Sequence, residues 1–509
     1  MNIAGLLTEP IARAGMRIAL VQGGRTLTYR ALGDRVARLA GGLAGLGLRR
    51  GDRIVLLMPN RPELVESLWG AFHGGFVAVP VNWHLHPDEV GYIVRHCGAA
   101  AVVVSDETVA ATRALPDGVR VLRVARADGS AKRSDDAGLD HTGLDYEDVL
   151  AAEPSPAVDT APQDPAWLFY TSGTTGRPKG ATLTHRNLAA MTEAYLRDLD
   201  PVADGSVYLH AAPLTHGSGL YLLPSTARGA TQVIAPGASF SAAGFVALLG
   251  EHRVTHAAFL APTMLRRVVD EARGRSLPRL RSVVVGGAPL YQEDLRAAVG
   301  VFGPIVTQMY GQGEAPMTIT VMPASEALDH PASCGRPFRG VEVRIVDAVG
   351  GLVPNGADGE VLVRGDVVMS GYWDNPDASA ATLANGWLHT GDIGHLEAGY
   401  LYLTDRAKDV IITGGSNVYP REVEEVLLSH PAVREAAVVG VPDPEWGESV
   451  RAFVVAAGDP TAGELIEWCR GRLASFKKPR EVILVTELPK NAAGKILKRE
   501  LRRAAVTGW

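Results

Sequence analysis

The chain has 509 residues, 46% of them hydrophobic, with 50 basic against 56 acidic side chains and a net charge of −6. That length suits several domains of about 150 residues each, and the mild charge argues against a general nucleic-acid binder. Cys97, Cys334 and Cys469 lie far apart with no C-x-x-C pair, which argues against a disulfide framework and fits a reducing cytosol.

The N-terminal MNIAGLLTEPIARAGMRIAL mixes acid, proline and arginine into its apolar positions and makes a poor secretory signal. From Thr28 onward, Leu32, Val36, Leu39, Leu43 and Leu46 fall on one helical face. RIVLLMPN reads as a buried strand, PELVESLWGAFHGG as a helix, FVAVPVN as a strand, HPDEVGYIVRHC as a helix and AAAVVVSD as a strand. This alternation predicts a parallel sheet covered by helices. The polar stretch from about Arg123 to Pro165 reads as surface structure. The long uncharged stretch Gly229–Gly250 contains Pro236 and many small residues, so it reads as strand, loop and helix rather than a membrane span.

THAAFLAP and RSVVVGGAPL then read as buried strands entering loops, and VRIVDAVG, GEVLVRG and YLYLTDR as shorter strands. From Asp409, VIITGG, PREVEEVLLSHP, AAVVGV, RAFVVAAG, ELIEWCRGRLAS and EVILVTELP alternate strands and helices. That is a compact unit of about 100 residues, a plausible separate domain. KILKRELRR is helical in pattern and basic.

YTSGTTGRPKG at 170–180 calls for a different explanation. Its glycines let the backbone turn tightly, and successive N–H groups in such a turn make a nest for anions. Thr171, Ser172, Thr174 and Thr175 add hydroxyl donors and Lys179 a positive charge. A phosphate chain is the best-fitting partner; a flexible linker is the bland alternative. The P-loop pattern G-x-x-x-x-G-K-[ST] fails, because Pro178 precedes the lysine and Gly180 follows it.

Seven further motifs accompany it in order: PLTHGSG at 213–219, GGAPL at 286–290, YGQGEA at 310–315, GEVLVRG at 359–365, LHTGDIG at 388–394, DRAKDVIITGGSNVYPREVE at 405–424 and PKNAAGKILKREL at 489–501. Together they resemble, essentially end to end, the adenylate-forming superfamily of acyl-CoA synthetases, peptide-synthetase adenylation domains and luciferases. The resemblance implies an α/β fold: a large N-terminal domain (1–404) of parallel-type sheets covered by helices with a small β-barrel-like part, a hinge (405–408) and a small mobile α+β domain (409–509). It implies two steps. A carboxylate attacks the α-phosphorus of ATP with loss of pyrophosphate, and the acyl-adenylate then loses AMP to a thiol.

Roles follow residue by residue. Thr171, Ser172, Gly173, Thr174, Thr175 and Lys179 match the phosphate loop. Gly287, Ala288 and Pro289 match the strand-end loop beside adenine, with Tyr310 as the stacking ring and Gly311 next to it. Glu314, with Thr171, matches the Mg²⁺ site; magnesium needs only one or two carboxylates beside phosphate oxygens. Asp392 matches the ribose ligand, and Arg406 a residue reaching the ribose or phosphate. Lys495 matches the adenylation lysine, Lys408 the hinge, and Gly414 and Gly415 the CoA channel. Lys495, Glu314 and His216 form the catalytic set. The acyl pocket is assigned to His216, Gly217, Ser218, Leu222, Phe259, Gly287, Gly311 and Gly313, the small residues at 217 and 218 leaving space for a long or broad acid. His216 also reads as a packed core histidine, and the His84–His86 pair as loop chemistry without metal spacing. Gly313 departs from the family's threonine and is expected to enlarge the pocket.

The expected function is an ATP- and Mg²⁺-dependent carboxylate–CoA ligase for a medium- or long-chain fatty acid or an aryl acid. A stand-alone adenylating enzyme (carrier-loading or luciferase-like) and a non-catalytic nucleotide-binding protein are the alternatives. Expected partners are the carboxylic acid, ATP and CoA, with a homodimer as candidate assembly, no nucleic acid, no transmembrane segment and a cytoplasmic location.

Overall fold

The computed structural model describes residues 2–125, 143–171, 177–237, 239–406, 409–413, 416–444, 446–491 and 494–507. Two large sheets and two smaller ones carry the chain. The first large sheet has seven strands in the order 144–145, 120–124, 99–105, 53–57, 77–80, 165–171, 179–184. It is parallel except for its last pair, Pro165–Thr171 with Lys179–Thr184, which is antiparallel. The second has nine strands. Its six central strands (306–310, 282–286, 256–260, 207–210, 231–234, 18–22) run parallel, with antiparallel strands at both edges.

Each strand and helix expected between Thr28 and Ser105 forms. Helix Tyr29–Gly45 starts at Thr28, whose hydroxyl accepts from Ala31 N, and buries Leu32, Val36, Leu39 and Leu43. Helix Pro62–His73 is buried along almost its whole length. One apolar core joins these helices to both sheets: Ile54, Leu56 and Trp167 come from the first, Leu20 and Ile234 from the second. The uncharged stretch near 240 is strand Thr231–Ile234 followed by helix Ala242–Glu251.

The stretch from 123 to 165 is not merely surface. Helix Tyr146–Leu150 lies within it, and the fully buried Tyr146 donates to Glu66 Oε2 at 3.2 Å. Glu66 is itself fully buried and held by Arg35 through bonds of 2.9 and 3.0 Å. The apolar residues of LDYEDVL are too few to announce a helix; burial comes from the partner across the fold.

A four-stranded antiparallel sheet (342–346, 359–364, 388–397, 400–406) forms the small β part. The C-terminal unit has five strands. Val433–Asp443 and Gly447–Ala456 form a long antiparallel pair, and Glu481–Leu484 adds in parallel to the latter. His86 caps helix Pro87–Cys97 through a reciprocal capping box with Glu89, a structural role that fits its reading as loop chemistry. The three cysteines are free and buried; burial pushes the Cys469 thiol up to about 11 and the other two to about 12. No described helix is long and apolar enough to cross a membrane.

Two buried histidines make folding pH-dependent. His185 Nδ1 accepts from Ile3 N at 3.1 Å, and His210 Nε2 donates to Gln232 Oε1 at 2.8 Å. Burial lowers both to about 4 from the ordinary 6.5. The unfolded chain therefore binds protons below pH 6.5 that the folded chain refuses until pH 4. Stability present above 6.5 is lost as pH falls through this window, by up to about 3 kcal/mol per histidine. Urea melts at pH 7.5 and 4.5 should show the loss, and His185→Gln should flatten the slope.

Candidate active site

Strands 207–210, 256–260, 282–286 and 306–310 of the nine-stranded sheet are parallel, so the segments after them emerge at one edge. Those segments carry His216, Ala261–Thr263, Gly287–Pro289 and Gly311–Glu314. Open α/β sheets bind ligands at the carboxyl ends of their strands.

Tyr310 ends its strand and is buried, and its hydroxyl donates to Asp392 Oδ2 at 2.6 Å. Burial, then the Asp392 charge, raises the phenol well above its usual range, so it remains a donor. Gln312 Nε2 donates to the same Oδ2 at 2.6 Å and to Thr390 O at 3.0 Å. The Asp392 carboxylate is thereby tied to the strand end where adenine is expected. Backbone register sets Arg406 opposite Asp392.

Thr171 and Lys179 pair in register at the stem of the phosphate loop. Ser172, Gly173, Thr174 and Thr175 lie outside the described residues, as do Lys408, Gly414 and Gly415. Glu314 Oε1 is 3.5 Å from Thr171 Oγ1 and accepts from the Tyr372 hydroxyl at 2.7 Å. Lys179 Nζ lies 5.1 Å from the centre of the Tyr372 ring. Tyr372 is placed by backbone pairing of its neighbours: Trp373 N donates to Gly180 O, and Ser370 N to Thr182 O. No described cluster of three or more His, Cys, Asp or Glu side chains suits a metal ion. One carboxylate with a hydroxyl beside the phosphate loop fits Mg²⁺, which takes its remaining oxygens from phosphates and water.

The acyl region is tighter than its sequence suggests. His216 precedes the short helix Gly217–Leu220, and burial lowers its imidazole. Its ring centre is 5.9 Å from that of Phe169. A Cβ on Gly217 would stand 3.2 Å from the Met317 thioether, so the space beside 217 is already filled. Phe259 leans on Gly286 and Gly287, and its ring is 5.8 Å from Tyr221. Ser218 is buried with no hydrogen-bond partner for its hydroxyl among the described residues, and Leu222 is fully buried in the core.

The expectation for Gly313 is corrected. A Cβ there would meet Thr171 Cγ2 at 2.6 Å and Phe169 Cδ1 at 2.8 Å. The missing side chain leaves no room, because Phe169 occupies it. Sequence reasoning missed Phe169, Gln312, Met317 and Tyr372. Gln312 lies inside the YGQGEA motif, Met317 two residues beyond it, and Phe169 directly before YTSGTTGRPKG; only position in or beside a motif signals these three.

Lys495 is tied to Asn491: Asn491 N donates to Lys495 O and Lys495 N to Asn491 Oδ1, both at 2.9 Å. Gly494 (φ +78°) packs on Thr263, whose hydroxyl donates to Gly494 O at 3.1 Å. Thr263 lies four residues beyond Phe259, so Gly494 is docked at the acyl side of the strand ends. Tyr291, just after GGAPL, donates to the buried Glu424 Oε2 of the C-terminal unit at 2.7 Å.

A second cavity at the amino ends of the same strands is lined by Asp200, His256 and Arg281. There His256 pairs with Asp200 and with Thr255 Oγ1, both at 2.6 Å, which is structural chemistry.

The profile of AMP-binding enzymes matches residues 7–373, and that of the AMP-binding enzyme C-terminal domain matches 422–495. The chain is 38% identical over 514 residues to a feruloyl-CoA synthase of an Amycolatopsis species, covering 99% of both. It is 36% identical to the fatty acid–[acyl-carrier-protein] ligase ScoC of Streptomyces coeruleorubidus, covering 94% of this chain and 92% of that one. Among solved structures it resembles o-succinylbenzoate-CoA synthetase (MenE) of Bacillus subtilis in complex with its acyl-adenylate, with TM-score 0.85, 31% identity and coverage of 98% and 97%. Fold and site thus define an AMP-forming acid–thiol ligase using ATP, Mg²⁺ and CoA. The chain belongs to the AMP-binding enzyme family, the adenylate-forming superfamily its motifs resemble.

Tyr372→Phe keeps the ring beside Lys179 and removes the hydroxyl that bonds Glu314. It should raise the Mg²⁺ concentration needed for half-maximal MgATP binding by about tenfold, the scale of a lost bond to a charged group. AMP affinity, measured calorimetrically in the same samples, should stay unchanged.

Proposed function

We propose that the chain activates a planar aryl acid through its acyl-adenylate and transfers it to CoA. The carrying observation is the acid region itself: the Phe169, His216 and Phe259 rings and the Met317 thioether stand where the neighbouring glycines 217, 286, 287 and 313 offer no side chain. Such a slot suits a flat ring better than a flexible alkyl chain, since aromatic pairs gain about 0.5–1.5 kcal/mol beyond area burial. The feruloyl-CoA synthase and the o-succinylbenzoate-CoA synthetase, both named for aryl acids, support it.

In this reading Asp392, braced by Tyr310 and Gln312, takes the ribose hydroxyls, and Arg406 assists. Thr171, Ser172, Thr174, Thr175 and Lys179 hold the phosphates, while Gly287, Ala288 and Pro289 border adenine. Glu314, with Thr171, holds Mg²⁺, which neutralises charge on the phosphates. Lys495 sits where carboxylate and α-phosphate meet. Two like charges about 4 Å apart repel by ~4 kcal/mol at an effective dielectric near 20, and the ammonium offsets this. His216 and Phe169 gate the acid.

The residues divide as 1–404 and 409–509 about a hinge at 405–408 that includes Lys408. After adenylation the small domain turns, withdrawing Lys495 and bringing Gly414 and Gly415 to the thiol's channel. A cytoplasmic homodimer is the proposed working form.

The test is pyrophosphate release with ATP and Mg²⁺ across benzoic, cinnamic and C8–C16 alkanoic acids, with CoA or an acyl carrier protein as acceptor. Cinnamate-type acids with CoA should give the highest kcat/KM. A preference for alkanoates, or for the carrier protein as with ScoC, would displace the aryl-CoA reading. Lys495→Ala should slow adenylation by about 100- to 1,000-fold. Thioester formation from supplied acyl-AMP should be largely spared.

A further inference from the structure

Position 313 is glycine for want of space, not for want of backbone freedom. Gly313 is absent from the residues with positive φ, so its backbone admits any side chain. What forbids one is the opposite wall: Thr171 Cγ2 at 2.6 Å and Phe169 Cδ1 and Cε1 at 2.8 and 3.2 Å from an added Cβ. Phe169 and Thr171 are alternate residues of one strand and share its face. The half-buried Phe169 ring has aromatic neighbours on two sides. His216 stands 5.9 Å from it, and the fully buried Trp167 stacks on it at 6.5 Å.

The location matters as much as the fit. Thr171 opens the phosphate loop and Glu314 follows Gly313, so this contact lies at the phosphate end of the acid site. We propose that Phe169 and Gly313 are a matched pair that determines specificity, closing the site around the carbon next to the reacting carboxylate. Acids bare at that carbon enter; acids with an α-methyl group compete with the ring for volume and are refused. The proposal rests on the placement of the acid site given above and narrows its substrate class to flat acids without an α-substituent.

The test compares kcat/KM for pyrophosphate release with cinnamate and α-methylcinnamate in wild type, Phe169→Ala, Gly313→Thr and the double variant. Phe169→Ala should raise the α-methylcinnamate-to-cinnamate ratio by at least about tenfold. Gly313→Thr should lose at least about 100-fold on both acids, and adding Phe169→Ala should recover at least about tenfold, a coupling expected only of residues in contact. An unchanged ratio in Phe169→Ala, or a double variant no better than Gly313→Thr, overturns the pairing. Should Gly313→Thr fail to fold, the Phe169→Ala ratio decides alone. Should wild type refuse cinnamate, the aryl reading falls, and the pairing is decided by the same ratio for the acid it does use against its α-methyl derivative.

Discussion

The contact of Gly494 with Thr263 is the one on which the site depends. An added Cβ on Gly494 would lie 2.5 Å from Thr263 Oγ1, and the φ of +78° is itself a glycine conformation. This contact docks the turn carrying Lys495, more than two hundred residues away in sequence, beside the strand that bears Phe259. Among the described residues its polar support includes the Thr263 hydroxyl, the Tyr291–Glu424 bond, Arg266 to the Arg434 carbonyl and Arg421 to the Leu403 carbonyl. A neutral bond of this kind is worth about 0.5–1.5 kcal/mol net and one to a charged group about 1.5–3. A polar seam of this kind resembles transient protein–protein contacts, for which relative motion is the ordinary expectation.

Asp392 and Glu314 are both positioned by tyrosines from elements distant in sequence. Tyr310, at a strand end of the nine-stranded sheet, holds Asp392 of the four-stranded sheet, and Tyr372 holds Glu314 from the segment paired with strand Lys179–Thr184. Oriented hydroxyls in a buried setting fix where negative charge sits before any nucleotide arrives, so little reorganisation is needed on binding. Lys179, near the Tyr372 ring, links the same residue to the phosphate loop.

The acid site follows another rule. Its glycines do not make space so much as concede it: Met317 fills the place beside Gly217, Phe169 that beside Gly313, and Phe259 rests on Gly286 and Gly287. Packing at close-packed density means a side chain missing on one wall is taken up from the other. A specificity pocket therefore cannot be sized from one wall's residue types.

The alternation of strands and helices from Thr28 to Ser105, the compact C-terminal unit and the motifs that name the superfamily can be read from the residues alone. These were legible because hydrophobic period and glycine placement are local properties of the chain. Helix Tyr146–Leu150 was not legible, since its five residues are buried by distant parts of the fold: Tyr146 joins the main apolar core and bonds Glu66, eighty positions away. That Phe169 takes the room beside Gly313, that Tyr372 and Gln312 brace the two carboxylates, and that Thr263 receives Gly494 emerges from the folded chain. Each of these is a contact between segments far apart in the chain, and volume and hydrogen-bond reach across such gaps are settled by how the sheets pack, not by any residue's neighbours in sequence.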